Sequence, residues 1–270
     1  MNNVSMHDQK YFIFTVDQIQ YGIACNEVVT VTDMPSCTVI PHLPAEVRGV
    51  IPFQEENIPV LDLRLCFGLP SRLAEINELI NTMALRRQDH LNWMGKLKNE
   101  LNNQQPISVQ TNPHKCAFGQ WYDQFESSNF NLAAYMKCFD VPHQAIHRVA
   151  VEVTAFLDQG QYQKAQELVA RTEGGVLLRL IELFDGIEER VSKYLMEYCI
   201  VLQHDAQRFA ITVDDLNAFC RLSRCGPLPG AASRQESELI QAIGFYHAEG
   251  QSAEQNVLLL ESQSIHNILR

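Results

Sequence analysis

No run of lysine and arginine occurs anywhere in this sequence, and its 21 basic residues face 32 acidic ones for a formal net charge of −11. Nucleic-acid binding depends on neutralising phosphates, so that class of partner is excluded. Long apolar runs are missing too. Runs such as Ile58 to Leu61 and Val257 to Leu260 fall far short of a bilayer's thickness. Met1 to Gln9 is polar and lacks the apolar core of a secretory signal. The expectation is a cytoplasmic protein with no membrane insertion, its eight cysteines kept as thiols. Catalytic signatures are absent as well: there is no His-Glu-x-x-His, no Gly-x-Ser-x-Gly and no phosphate-binding glycine loop. Residues 71–197 also lack the Glu-x-x-His pairs of a di-iron bundle. An enzyme is not expected.

What is present is a folded chain. Apolar residues make up 46% and charged residues 20% of its 270 positions, enough for two domains with real cores. Residues 71–197 hold 13 basic and 16 acidic side chains, whereas the two flanks together hold 8 and 16. A partner docking on the flanks is therefore expected to present basic groups, although acidic surfaces also serve solubility.

The first 70 residues read as β-structure. Tyr11-Phe-Ile-Phe-Thr-Val16 is a β-branched and aromatic run, Asp17-Gln18 a turn, and Gln20-Tyr-Gly-Ile-Ala24 its hairpin partner. Prolines at 35, 41, 44, 52, 59 and 70 exclude a long helix. Residues 198–270 return to the same pattern. There Tyr198-Cys-Ile-Val-Leu202, Gln207-Arg-Phe-Ala-Ile211 and Asp214-Asp215-Leu216 echo Tyr11 to Thr15, Gln20 to Ile23 and Asn26 to Val28. Leu239 to Ile243 and Asn256 to Leu260 echo Val47 to Val50 and Asn57 to Leu61 more loosely. Such a repeat points to two similar β subdomains, closed as barrels to avoid open edges. Between them the period changes to that of helices, expected at about 71–101, 117–127, 142–159 and 161–196, with Gly174-Gly175 weakening the last. Asn102 to Pro113 is a polar loop.

Pro142-His-Gln-Ala-Ile-His147 stacks two imidazoles on one helical face. That pair alone is as compatible with core or surface histidines as with a metal. Its company changes the reading: His90 lies on the first helix and Cys116 opens the second. His90, Cys116, His143 and His147 form a four-ligand set of three imidazoles and a thiolate, which suits tetrahedral Zn2+ and leaves no open position for catalysis. Asp89 is a candidate acceptor behind one imidazole. His114 could compete as a ligand but precedes the helix and is expected in solvent. Trp93, Phe118, Trp121 and Tyr122 read as bundle core, and Cys25, Cys66, Cys199 and Cys220 as small core residues. Cys138 is either structural or a resolving thiol.

The patterns His-Leu-x-Trp from His90, Cys-x-Phe-Gly-x-Trp-Tyr from Cys116 and Pro-His-x-x-x-His from Pro142 resemble the chemoreceptor zinc-binding family across residues 73–197. That resemblance implies a four-helix bundle ligating zinc through the same four positions, and sensing of zinc or of oxidants such as hypochlorous acid through the bound cysteine. The flanks resemble the CheW-like coupling family. The residues that carry this are Phe12-Ile-Phe-Thr-Val16, Tyr21-Gly-Ile23, Pro41-x-x-Pro44, Val47-Arg-Gly-Val50, Pro59-Val-Leu-Asp-Leu-Arg64 and Phe67-Gly-Leu-Pro70, with Phe209 to Asp214 and Ile240 to Gly244 in the second half. This resemblance implies an all-β double five-stranded barrel, non-catalytic, bridging a chemoreceptor and a chemotaxis histidine kinase. The family commonly continues Asn-Leu-Arg-Gly where this chain has Pro52-Phe-Gln-Glu55, so Gln54 replaces a charged bidentate donor and the ordinary coupling contact is in doubt. The expected organisation is a CheW-like first half at 10–70, an inserted helical zinc domain at 71–197 and a second half at 198–270. A homodimer through the insert, a purely structural zinc in a plain adaptor or tether, and a zinc-buffering role are the other expectations that this organisation leaves open.

Overall fold

A computed structural model describes residues 9–228, 239–248 and 253–269, so the polar N-terminal stretch lies outside the described residues except for Gln9. The chain divides into two compact units, Met1–Glu75 with Met196–Arg270, and Ile76–Leu195. Among the described residues no helix is long and apolar enough to cross a membrane.

The first unit holds two sheets. Its strands are β1 (Lys10–Val16), β2 (Ile19–Ala24), β3 (Val28–Asp33), β4 (Val47–Phe53), β5 (Glu56–Asp62), β6 (Tyr198–His204), β7 (Gln207–Val213), β8 (Asp215–Arg221), β9 (Arg224–Gly226), β10 (Ile240–His247) and β11 (Glu254–Leu260). One sheet has the order β8-β1-β2-β11-β10-β9 and the other β3-β6-β7-β5-β4. Asp17 and Gln18 both take positive φ, the conformation that a two-residue hairpin between right-twisted strands requires. Phe12, Phe14 and Ile23 of the first sheet and Leu61, Leu202 and Phe209 of the second share one buried cluster, so the core lies between the sheets.

The repeat is present, in a different form from one subdomain per half. Each sheet mixes both halves: the β1–β2 hairpin pairs with β8 and β11, and the β6–β7 hairpin pairs with β3 and β5. The correspondence extends to register. Gly22 faces Leu259 across the parallel β2–β11 ladder, and its sequence equivalent Ala210 faces Val60 across the parallel β7–β5 ladder. Bulges repeat as well: the ladder skips Arg48 between Val47 and Gly49, and Gln241 between Ile240 and Ala242. Bulges at matched positions mark a shared backbone design and not a chance likeness of strands. The described ladders end at β8 and β9 in one sheet and at β3 and β4 in the other, so the expected barrel closure is not among the described pairings.

Short helices α1 (Leu63–Cys66) and α9 (Ser262–Ile268) follow the equivalent strands β5 and β11. Asp62 caps α1 by accepting from the backbone N–H groups of Arg64 and Leu65. Arg64 itself is buried. Its Nη1 lies 2.6 Å from Asp214 Oδ2, its Nε donates to the Pro70 carbonyl at 2.8 Å, and its Nη2 meets Glu75. Arg72 bridges the same Asp214 at 2.6 Å and Glu75 at 2.8 Å. Two guanidiniums and two carboxylates thus hold the first turn of helix α2 (Arg72–Asn102) against the end of β7.

The second unit contains the remainder of α2, then α3 (Ala117–Tyr122), α4 (Phe130–Lys137), α5 (Asp140–Asp158), α6 (Tyr162–Thr172), α7 (Leu178–Asp185) and α8 (Ile187–Tyr194). The single long helix expected over 161–196 is divided. A π-helical turn spans Glu173–Leu177, where Gly174 and Gly175 lower the cost of leaving α geometry, and Gly186 separates α7 from α8. Helix α4 is not expected from the sequence pattern. Asn129 caps it, its Oδ1 accepting from the Leu132 N–H at 3.0 Å. Met83, Leu97, Phe139, Ile146, Ala150, Val153, Leu180 and Val191 fill the core.

Asp214→Ala should destabilise the β unit by about 3 kcal/mol, the low end for breaking a buried ion pair, because Glu75 still faces both guanidiniums. A urea titration followed by β-sheet circular dichroism reads this. A shift below about 0.5 kcal/mol means that the network adds no stability.

Candidate metal centre

His90, Cys116, His143 and His147 converge inside the helical unit, one donor atom from each lying within 4.8 Å of the others. Ligands around a tetrahedral zinc stand about 3–4 Å apart, so the cluster needs little contraction to hold one. Helix α2 supplies His90. Helix α5 supplies His143 and His147 one turn apart, with Pro142 in its first turn where its missing N–H costs nothing. Cys116 is the N-cap of α3, and its Sγ accepts from the Gly119 N–H at 3.2 Å. As a thiol the sulfur also donates to the Pro113 carbonyl at 3.2 Å, and it lies 3.1 Å from His143 Nε2.

The hydrogen bonds fix which imidazole nitrogen faces the centre. His90 Nδ1 is 2.7 Å from the Arg86 carbonyl and His147 Nδ1 is 2.7 Å from the Gln110 carbonyl. A carbonyl only accepts, so both Nδ1 atoms carry the proton and both Nε2 atoms are bare. Those two Nε2 atoms are buried without a hydrogen-bond partner. A buried acceptor left unpaired costs on the order of 1–3 kcal/mol, a penalty that a cation at the shared centre removes. The remaining walls are aromatic: Phe118 stands edge-on to His143 at 4.8 Å and Phe184 lies 5.6 Å from His90.

Burial in this apolar cage pushes His90 down to about 4 and His143 to about 3, and lowers His147 as well. All three are therefore neutral near pH 7, the state that ligates a metal. Burial raises the Cys116 thiol, opposed by the Gly119 and Phe118 N–H groups, and a bound dication reverses that direction by favouring thiolate. The donor set and its protonation fit zinc.

Two family models match the chain: the CheW-like domain over residues 10–110 and the chemoreceptor zinc-binding domain over residues 90–154. The second span includes all four converging residues. The chain carries a CheW-like domain together with a chemoreceptor zinc-binding domain. The CheW-like match begins at β1 and runs past the β unit into α2 and the loop after it. A crystal structure of the scaffolding protein TtCheW from Thermoanaerobacter tengcongensis aligns over 94% of this chain and 88% of that one, at 11% identity and a TM-score of 0.41. No curated protein matches the chain in sequence. The two domain matches support a chemotaxis signalling adaptor with a zinc-binding domain.

Around this zinc-binding domain the other sequence expectations divide. Asp89 is not the acceptor behind His90. It is half exposed and pairs with Arg86, whereas backbone carbonyls of Arg86 and Gln110 do the orienting. Those carbonyls have no side-chain signature, so no residue type announces them. His114 is exposed and pairs with Asp123 at 3.0 Å, outside the cluster. Cys66 and Cys199 are buried as expected, but Cys25 and Cys220 are only half-buried, and Cys138 is exposed. Phe118 is buried in the core, with Trp93, Trp121 and Tyr122 packed against it and partly exposed.

The Cys-x-Phe-Gly block has a steric reason. A Cβ on Gly119 would lie 1.8 Å from the Pro113 carbonyl oxygen, so only glycine lets the Pro113 turn close on α3 and deliver Cys116 to the histidines. Gly119→Ala should weaken zinc binding about tenfold or more in a chelator-competition titration, while Gly174→Ala, which meets open space, should leave it unchanged. Equal affinities for both variants would show that the turn does not set the cysteine's position.

Proposed function

We propose that His90, Cys116, His143 and His147 hold one zinc ion within a four-helix bundle, and that the state of this centre alters how the adaptor docks to a chemoreceptor or chemotaxis histidine kinase in the cytoplasm. The observation that supports the ligand set is the pair of bare, buried Nε2 atoms aimed at a cysteine and a third imidazole. When bound, the ion supplies charge that stabilises the thiolate and a four-point cross-link among α2, α3 and α5. The protein's own groups do the rest: Arg86 and Gln110 carbonyls hold the imidazole tautomers, the Gly119 N–H supports the sulfur, and Phe118 and Phe184 line the centre. Four protein donors fill a tetrahedral ion, which favours structural or sensory use over catalysis. A cysteine held as thiolate is also the oxidisable form, so modification of Cys116 removes one ligand and loosens the start of α3.

Docking of the β unit is supported by a feature near the departure at Gln54. That side chain is exposed in the β4–β5 turn and its Oε1 accepts from Arg208 Nη1 at 3.0 Å, the same guanidinium that pairs with Glu56. A cation therefore stands beside position 54 although the residue there is neutral.

Cys116→Ser should lower zinc affinity at least tenfold and His114→Ala should leave it unchanged; the reverse order in a metal titration means that the ligand set is wrong. Zinc-loaded and zinc-free protein should differ in affinity for a receptor signalling fragment or kinase regulatory domain. Equal binding overturns the sensory reading and leaves zinc as structure alone. Far-ultraviolet circular dichroism separates the cases, because a purely structural ion is one whose removal abolishes the helical signal.

A further inference from the structure

We infer that Trp93 is a positioning residue of the metal centre, acting through the backbone carbonyl of Gln110. The inference rests on the ligand set proposed above. Trp93 lies one turn beyond His90 on α2, and its indole Nε1–H donates to the Gln110 carbonyl at 2.8 Å. The same oxygen accepts from His147 Nδ1 at 2.7 Å. One carbonyl has two lone pairs, and here both are occupied, one by each ring. The rings also meet edge to face, with centroids 5.4 Å apart.

This arrangement matters because a neutral imidazole has two tautomers and only the one with a bare Nε2 can ligate at this centre. The choice is made by what Nδ1–H finds. Gln110 is an exposed residue in the loop between α2 and α3, outside any helix or strand whose hydrogen-bond ladder would fix its carbonyl. The Trp93 indole supplies that constraint from a helix that carries a ligand itself. The loop is pinned on both sides of this point. Glu100 accepts from the Ser108 N–H and hydroxyl at 2.9 and 2.5 Å, and Gln110 Oε1 accepts from the Asn112 N–H at 3.0 Å. Asn112 in turn accepts from the His114 N–H, starting the turn that ends at Cys116. Gln110 is thus a single residue whose carbonyl orients His147 and whose side chain begins the delivery of the cysteine, with Trp93 holding it against α2. A role in packing alone is the alternative, and it requires the ring but not its N–H.

Trp93→Phe keeps an aromatic ring and removes the donor. The expected result is a zinc affinity lowered about tenfold by chelator competition, with the helical signal of the zinc-loaded variant unchanged. In metal-free protein, long-range 15N–1H spectra should show His147 shifting from the Nδ1–H tautomer toward a mixture. Affinity within twofold of the parent, with the His147 tautomer unchanged, overturns the inference. If Trp93→Phe loses its helical signal even with zinc, the unaltered protein decides: its Trp93 indole proton should exchange with solvent far more slowly when zinc is bound, and rapid exchange in both states overturns the inference. Cys116→Ser and His147→Ala run in parallel. If neither weakens zinc binding, the ligand set fails and this inference with it; if both do and Trp93→Phe does not, the inference alone fails.

Discussion

Three buried imidazoles meet a half-buried cysteine, and two of the imidazole nitrogens have no hydrogen-bond partner. An apolar core tolerates such atoms only if something else satisfies them, because each hydrogen bond lost to burial opposes folding directly. The rest of the helical unit is arranged around that constraint. Nδ1 protons are directed to carbonyls, Phe118 and Phe184 close the walls, and Gly119 removes the one side chain that would keep Cys116 away. Burial also keeps the imidazoles neutral, so the feature that makes the site costly to leave empty is the feature that prepares it for a cation.

The convergence of His90, Cys116, His143 and His147 was legible because its signal lies in residue type and spacing: a histidine pair one turn apart, a cysteine before an aromatic-rich helix, a histidine on the preceding helix. What holds those donors was not legible, because it lies in backbone atoms. No sequence pattern marks the Arg86 or Gln110 carbonyl, and the acidic neighbour that looked suitable, Asp89, points to Arg86 instead. A helical residue one position from a ligand faces about 100° away from it, which is why adjacency in sequence misled. Helix α4 was missed for a similar reason. Its eight residues are too few to show a period, and its start is set by the Asn129 cap. The division of 161–196 was visible only as a glycine pair, whose consequence, a π turn, depends on packing on both sides.

In the β unit the sequence repeat was readable as strands but not as pairing. Pattern alone assigns each half its own subdomain, since neighbours in sequence usually pair. The structure exchanges hairpins instead, so each sheet needs both halves, and the parallel ladders β2–β11 and β5–β7 are the long-range contacts that join them. Neither half can complete a sheet alone. Folding of this unit therefore waits on contacts between residues separated by 150 positions or more, with the helical unit lying between them in the chain.

That dependence explains why both junctions with the insert carry charge clamps. Entry is held by Arg64, Arg72, Glu75 and Asp214. At the exit, Arg48 meets Glu197 at 2.6 Å while the Glu197 carbonyl accepts from the Met34 N–H at 3.1 Å. Arg48 is the bulged residue of β4, and a bulge re-aims a side chain that a regular strand would point elsewhere. At the entry the chain is already helical: Glu75 and His90 lie on one helix, 15 residues apart by number, with neither glycine nor proline between them.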